Sequence, residues 1–313
     1  MKKKIGYVFL CFALIFFAAA IIIHPERYVT SCFQGFAMWA ECVLPALFPF
    51  MCITLIFVKT GLAEKASLPL KRVTGKLKFP PAAAACFLLS VCSGYPAGSK
   101  VVSEFYEGGA FSKKESGKVA YLCSTSGPLF IIGSVGFKMF GDKLTGVKIL
   151  IAHVFAVTVV SLIIALVSKK STSTELKRAL PKSNVLYDAF YGAVIAVTVA
   201  GGFIAFFYVV ANFCADFHLF YPLEKFFNLF LDEQTSSALC LGLVEATTGC
   251  RALSAVGGKL QVALAGFLIT FGGLSILLQQ LSYLLGAGVK PFKFIGVKLL
   301  QAVVCFLLLL IIA

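Results

Sequence analysis

The chain has 313 residues, 59% of them hydrophobic and 13% charged, with a mean hydropathy of +0.94 and a formal net charge of +14. A soluble domain of this length cannot bury so much apolar surface, so the excess must face lipid. The positive charge does not point to nucleic acid: Lys and Arg collect in loops between apolar runs, the bias that marks cytoplasmic loops, and no basic segment belongs to a nucleic-acid module.

Met1 to Lys4 is basic and Ile5 to Ile23 is uncharged, longer than a signal-peptide core, which predicts an uncleaved first helix with a cytoplasmic N-terminus. Tyr28 to Glu41 is mixed in polarity and reads as an interfacial segment anchored by Tyr28 and Trp39. Cys42 to Val58, with Pro45 and Pro49, crosses back to a basic loop between Lys59 and Lys78. Phe79 to Ser99 is apolar but breaks at Ser93-Gly94-Tyr95-Pro96-Ala97-Gly98, where two glycines and a proline cannot continue a helix. Each limb is too short to span, which predicts a re-entrant hairpin. Val119 to Phe137 can span but is interrupted by Ser124-Thr125-Ser126-Gly127-Pro128, and Ile149 to Ser168 is an unbroken span.

The second half repeats this plan. Ala189 to Ala215 spans, Phe217 to Glu233 reads as interfacial, and Ser236 to Val256 breaks at Ala246-Thr247-Thr248-Gly249. Leu260 to Val289 breaks at Phe271-Gly272-Gly273, and Phe294 to Ala313 is the last span. At a shift of 150 residues Gly136/Gly286, Lys143/Lys293, Gly146/Gly296, Val147/Val297, Lys148/Lys298 and Leu150/Leu300 are identical, and at 151 Gly98 meets Gly249 and Lys100 meets Arg251. The predicted fold is therefore an all-α membrane protein of inverted repeats with re-entrant hairpins and broken transmembrane helices. Its expected parts are an N-terminal helix and interfacial segment (1–42), a first repeat (43–170), a cytoplasmic linker (171–184) and a second, inverted repeat (185–313). Starting with the N-terminus inside, this topology gathers most basic residues on the cytoplasmic side and brings the two hairpins in from opposite faces.

Unwound backbone in hydrocarbon survives only when buried in protein or beside a wet cavity, and matched breaks in two repeats are a recurring plan for secondary transporters. The candidate substrate-binding residues are those of the breaks: Ser93, Gly94, Tyr95, Pro96 and Gly98, then Ser124, Thr125, Ser126 and Gly127, then Thr247, Thr248 and Gly249. Glu245 is an intramembrane carboxylate, costly unless it binds a cation, a proton or a substrate amine, or pairs with Arg251. Lys100 and Arg251 each follow a tip glycine by two residues, where a helix N-terminus already favours anions; two such cations point to an anionic substrate, although both could instead snorkel to an interface. Gln279 and Gln280 are hydrogen-bonding candidates after the last break.

The eleven cysteines sit almost all in apolar runs without metal-ligand spacing, and His24, His153 and His218 have none with one another. No P-loop, dinucleotide fingerprint, H-E-x-x-H or G-x-S-x-G is present, so neither an enzyme nor a cofactor is expected beyond a coupling H⁺ or Na⁺. The expected partners are the bilayer, a small anionic solute and a second copy of the chain, with no nucleic acid.

The stretches Ser93-Gly94-Tyr95-Pro96-Ala97-Gly98-Ser99-Lys100, Ser126-Gly127-Pro128-Leu129-Phe130-Ile131-Ile132-Gly133 and Glu245-Ala246-Thr247-Thr248-Gly249 resemble the YlbJ family, sporulation integral membrane proteins within the nucleoside-recognition, or Gate, superfamily. The resemblance runs from about Trp39 to the last helix. It implies a fold similar to concentrative nucleoside transporters and an association with moving dipicolinic acid, a small aromatic dianion, across a forespore membrane. It leaves a divalent-metal or nucleoside gate open, the former through Cys92, Cys123, Cys240 and Cys250 at the breaks, and also a non-transporting sporulation scaffold.

Overall fold

A computed structural model of the chain describes residues 2–168 and 184–313. The expected linker, 171–184, lies outside them apart from Asn184. Every described regular element is helical. Six helical stretches among the described residues are long and apolar enough to cross a membrane: Gly6–Ile23, Pro25–Lys59, Lys143–Val167, Val185–Asp216, Lys259–Leu284 and Pro291–Ile312. Their outward faces carry apolar side chains such as Phe12, Ile15, Ile151, Phe155, Val199 and Leu300, as a lipid-facing surface requires.

Helix α1 (Lys2–Ile23) ends at a bend at His24, after which α2 (Pro25–Met38), a π-turn π1 (Trp39–Val43) and α3 (Leu44–Lys59) form one continuous rod. This rod lies antiparallel along α10 (Val185–Asp216). Arg27 pairs with Asp216 at 2.9 Å at one end, a Cβ on Gly35 would lie 2.6 Å from the Ala205 Cα, and one on Gly201 would lie 2.8 Å from the Trp39 indole. Tyr28 is buried beside Phe213, and Trp39 packs on a glycine of α10. The polar residues of this segment alternate with small ones that let two backbones approach, the usual way helices associate in lipid.

Small surface helices α4 (Leu62–Ser67) and α5 (Lys71–Lys76) lead to the first helix pair, α6 (Ala83–Ser93) and α7 (Ala97–Glu107). The first interrupted run follows as α8 (Lys113–Leu122), irregular backbone to Pro128 and a π-helix π2 (Leu129–Met139), then α9 (Lys143–Val167). After α10 the same order recurs: α11 (Tyr221–Phe227), the pair α12 (Glu233–Val244) and α13 (Ala246–Val256), the interrupted run α14 (Lys259–Phe271) and α15 (Gly273–Leu284), and α16 (Pro291–Ile312). The helix break in the second pair falls at Glu245, one residue before the expected Ala246 to Gly249, because the Glu245 side chain caps α13 and those four residues form its first turn.

Asp142 and Asp232 cap α9 and α12 outside the spans, accepting from Thr145 and Leu144 and from Thr235 respectively. The Thr145 and Thr235 donors hold both carboxylates below their ordinary range, so each cap is intact at neutral pH and is lost as pH falls through that lowered value.

The two cores are exchanged between the halves. The first pair and α8 pack on Leu277, Leu281 and Leu284 of α15 and on Phe294 and Val297 of α16. The second pair and α14 pack on Ile131 and Val135 of π2 and on Ile149, Ala152 and Ala156 of α9. Each interrupted helix thus gives one limb to each core. That places both interruptions, and the tips of both pairs, at the centre of the molecule.

Candidate functional site at the junction of the broken helices

Each contact at the centre depends on a residue without a side chain. Gly94, at φ +75°, meets the first interruption so closely that a Cβ there would lie 2.5 Å from the Gly127 nitrogen. Gly98 lets α7 rest on the Cys123 carbonyl and Ser90, and Gly242 and Gly249 bring α12 and α13 into backbone contact. Gly272 and Gly273 carry φ of +97° and +59°, and a Cβ on Gly273 would sit 2.7 Å from the Gly242 carbonyl oxygen.

These approaches leave a pocket. Ser93, Gly94 and Tyr95 of the first tip, Ser126 and Gly127 of the first interruption, Thr247 of the second pair and Gln279 of α15 line it, together with Phe130 and Ile276. Val43, Ala46 and Leu47 close one side, and Ala200 and Ile204 of α10 close another. The N-termini of α7, π2, α13 and α15 all begin within a few residues of these walls. Their first N–H groups lack intrahelical acceptors and carry the positive end of the helix dipole. The lining is mainly apolar with a few hydroxyl and amide groups, the usual character of a small-molecule site.

Of the sequence candidates, the structure brings Ser93, Gly94, Tyr95, Ser126, Gly127, Thr247 and Gln279 to the pocket wall. Pro96, Gly98, Ser124, Thr125, Thr248 and Gly249 belong to the same tips and interruption but are not part of its lining. Lys100 and Arg251 are not part of its lining. Lys100 Nζ donates to the Gly192 carbonyl of α10 at 2.9 Å, and Arg251 is exposed. Two residues of helix past a tip glycine turn the side chain through more than half a circle, away from the tip. The Glu245–Arg251 pair is replaced by a different arrangement. Fully buried Glu245 accepts from Thr247 N at 3.2 Å, Thr248 N at 2.7 Å and Thr248 Oγ1 at 2.8 Å. The carboxylate is satisfied by the helix it caps.

Behind the pocket runs a buried polar network. At the end of α8 and along the unwound backbone that follows it, side chains of other helices take up four backbone groups between Tyr121 and Ser126. Ser90 donates to the Cys123 carbonyl and shares a hydrogen bond with Thr125 at 2.8 Å. Lys298 Nζ donates to the Ser124 carbonyl at 3.0 Å, and Gln301 donates to the Tyr121 carbonyl at 2.9 Å. The Ser126 N–H donates to His153 Nε2 at 2.9 Å, and His153 Nδ1 meets Thr270 Oγ1 at 2.9 Å. A backbone N–H can only donate, so Nε2 carries no proton; the imidazole is neutral, with its proton on Nδ1 toward Thr270. Tyr95 donates across to the Ile269 carbonyl of α14, and Ser124 donates to the Gln280 side-chain oxygen.

Lys298, His153, Thr270 and Gln301 were not singled out from the sequence. The one signal was the Lys148/Lys298 identity between the halves, and it concealed a difference: Lys298 is fully buried while Lys148 is not. Among the cysteines expected at the breaks, Cys92 is exposed and Cys250 donates to the Ala265 carbonyl at 3.8 Å. No group of three or more His, Cys, Asp or Glu side chains is gathered among the described residues.

The fold and this buried junction define a polytopic α-helical integral membrane protein with a polar centre built on interrupted helices. The chain is similar to the sporulation integral membrane protein YlbJ of Bacillus subtilis (strain 168), with 25% identity over 337 aligned positions that cover 96% of this chain and 81% of that protein. No family profile matches the chain, and no solved structure does.

Proposed function

We propose that the protein is a secondary transporter of a small anionic metabolite, bound in the pocket where the first tip, the first interruption, Thr247 and α15 meet. That convergence is the observation that carries the reading. Unwound backbone is expensive in a membrane, and here it is gathered around one small cavity rather than spread along lipid-facing helices. Several helix N-termini favour negative charge there, and Ser93, Ser126, Thr247 and Gln279 can orient it. The exchanged cores supply a route to alternating access: a shift of one core against the other would uncover the pocket to one face and then the other.

The repeats are read as inverted, with the helix pairs re-entrant from opposite faces and the N-terminus cytoplasmic, and the likeness to concentrative nucleoside transporters belongs to this reading. The sporulation setting comes from the relative's name, and dipicolinic acid crossing a forespore membrane is the proposed cargo. Orientation is checked with Gly75→Cys and Asp142→Cys in a cysteine-depleted background: the first should label from the cytoplasm and the second from outside.

The function is tested by flux. Purified protein in liposomes should accumulate labelled pyridine-2,6-dicarboxylate above empty vesicles and should leave uridine and Fe²⁺ outside. Flux of either control instead would assign a nucleoside or metal gate. Movement of none would make the protein a scaffold.

A further inference from the structure

Lys298 poses a problem that its neighbours do not solve. It lies on α16, and its side chain is fully buried. Its contacts among the described residues are the Ser124 carbonyl, at 3.0 Å, and the Tyr95 ring, whose centroid is 5.6 Å from Nζ. One carbonyl and one ring face use part of an ammonium's three donors, and no carboxylate balances the charge. Beside the same Ser124, buried Gln280 accepts from Ser124 Oγ and, at 3.4 Å, from Ser99 Oγ through its oxygen. The Gln280 Nε2 donors are buried with no acceptor. A cation with one oxygen acceptor and an amide NH₂ with none therefore both lie against one serine. Tyr95, which lies over Lys298, is itself part of the pocket wall.

We propose that Lys298 and Gln280 form a carboxylate subsite behind Tyr95, in which one carboxylate of the transported anion completes the donors of both side chains. The proposal rests on the pocket being the substrate site and names the group that recognises its charge. The anion takes an N⁺–H···O⁻ bond from Lys298 and an N–H···O bond from Gln280, with displacement of the Tyr95 ring as the way in. It assigns to Lys298 the role that position in the sequence gives to Lys100 and Arg251.

The experiment is equilibrium binding to the full-length protein in lipid nanodiscs, with pyridine-2,6-dicarboxylate as probe and the neutral pyridine-2,6-dicarboxamide as its twin. Wild type should bind the dicarboxylate. Lys298→Gln should weaken it about ten- to a hundred-fold while changing the diamide little, and Lys298→Arg should keep most of the affinity. Gln280→Glu places a carboxylate inside the subsite and should exclude the dicarboxylate without loss of thermal stability; it keeps the test decisive if Lys298→Gln does not fold. Equal losses for both probes would make Lys298 a cap on the end of α8 and overturn the subsite. Unchanged dicarboxylate binding in Lys298→Gln or in Gln280→Glu would also overturn it, as would a wild type that binds no dicarboxylate. Charge-selective binding in a protein that moves nothing across liposomes would keep the subsite and end the transporter reading.

Discussion

Gly249→Val is expected to leave little folded protein. A Cβ at Gly249 falls on the Gly242 backbone and within 2.8 Å of a Leu268 methyl, so α12 and α13 could no longer lie in contact. Overpacking a core usually costs about 1–3 kcal/mol when side chains can shift, and here the obstacle is backbone, so the cost should exceed about 3 kcal/mol. That is a large part of the usual stability of a domain. Thermal unfolding in detergent should show a cooperative transition for wild type and for Gly75→Ala, where the added methyl meets open space, and a lowered or absent one for Gly249→Val. A wild-type transition in Gly249→Val would mean that the second pair is more loosely packed than described.

Glu245→Gln should be the most damaging change that keeps side-chain shape. The carboxylate accepts three hydrogen bonds at the start of α13, two from backbone N–H groups. A glutamine offers one oxygen, and its NH₂ would turn donors toward a donor, leaving a buried N–H without an acceptor at about 1–3 kcal/mol. Loss of the negative charge at a helix N-terminus adds to this. We expect lower thermal stability and loss of uphill flux together, because α13 carries Thr247 into the pocket. Thr248→Val removes one hydrogen bond and should cost about 1 kcal/mol, with flux retained. If Glu245→Gln keeps wild-type stability but loses only accumulation, the carboxylate serves a coupling ion rather than the helix.

The breaks were legible because their residues forbid continuous helix: Gly94, Pro96 and Gly98 in the first pair, Pro128 after a run of hydroxyl residues, and Gly272-Gly273 in the last run. Those signals are local, and the structure places the interruptions where they predict. What the sequence could not supply was direction. Lys100 and Lys298 are both single cations in apolar surroundings, yet one reaches the Gly192 carbonyl and the other stays under the Tyr95 ring, a distinction set by tertiary packing. The packing of the second helix on α10 is likewise a tertiary matter: Gly201 takes the Trp39 indole and Ala205 meets Gly35. Ala200 and Ile204 carry no chemical signal, so no sequence pattern marks them as pocket wall.

The central claim is that a small anion sits in the pocket among the tips, and substrate protection at the α10 wall tests it most directly. Ala200→Cys, in a background with the native cysteines replaced and flux retained, is treated in membranes with a small thiol reagent with and without pyridine-2,6-dicarboxylate. The account predicts slow labelling that the dicarboxylate suppresses and uridine leaves unchanged. Labelling at the same rate with and without dicarboxylate, in protein that still transports it, would contradict the account and put the substrate path elsewhere in the molecule.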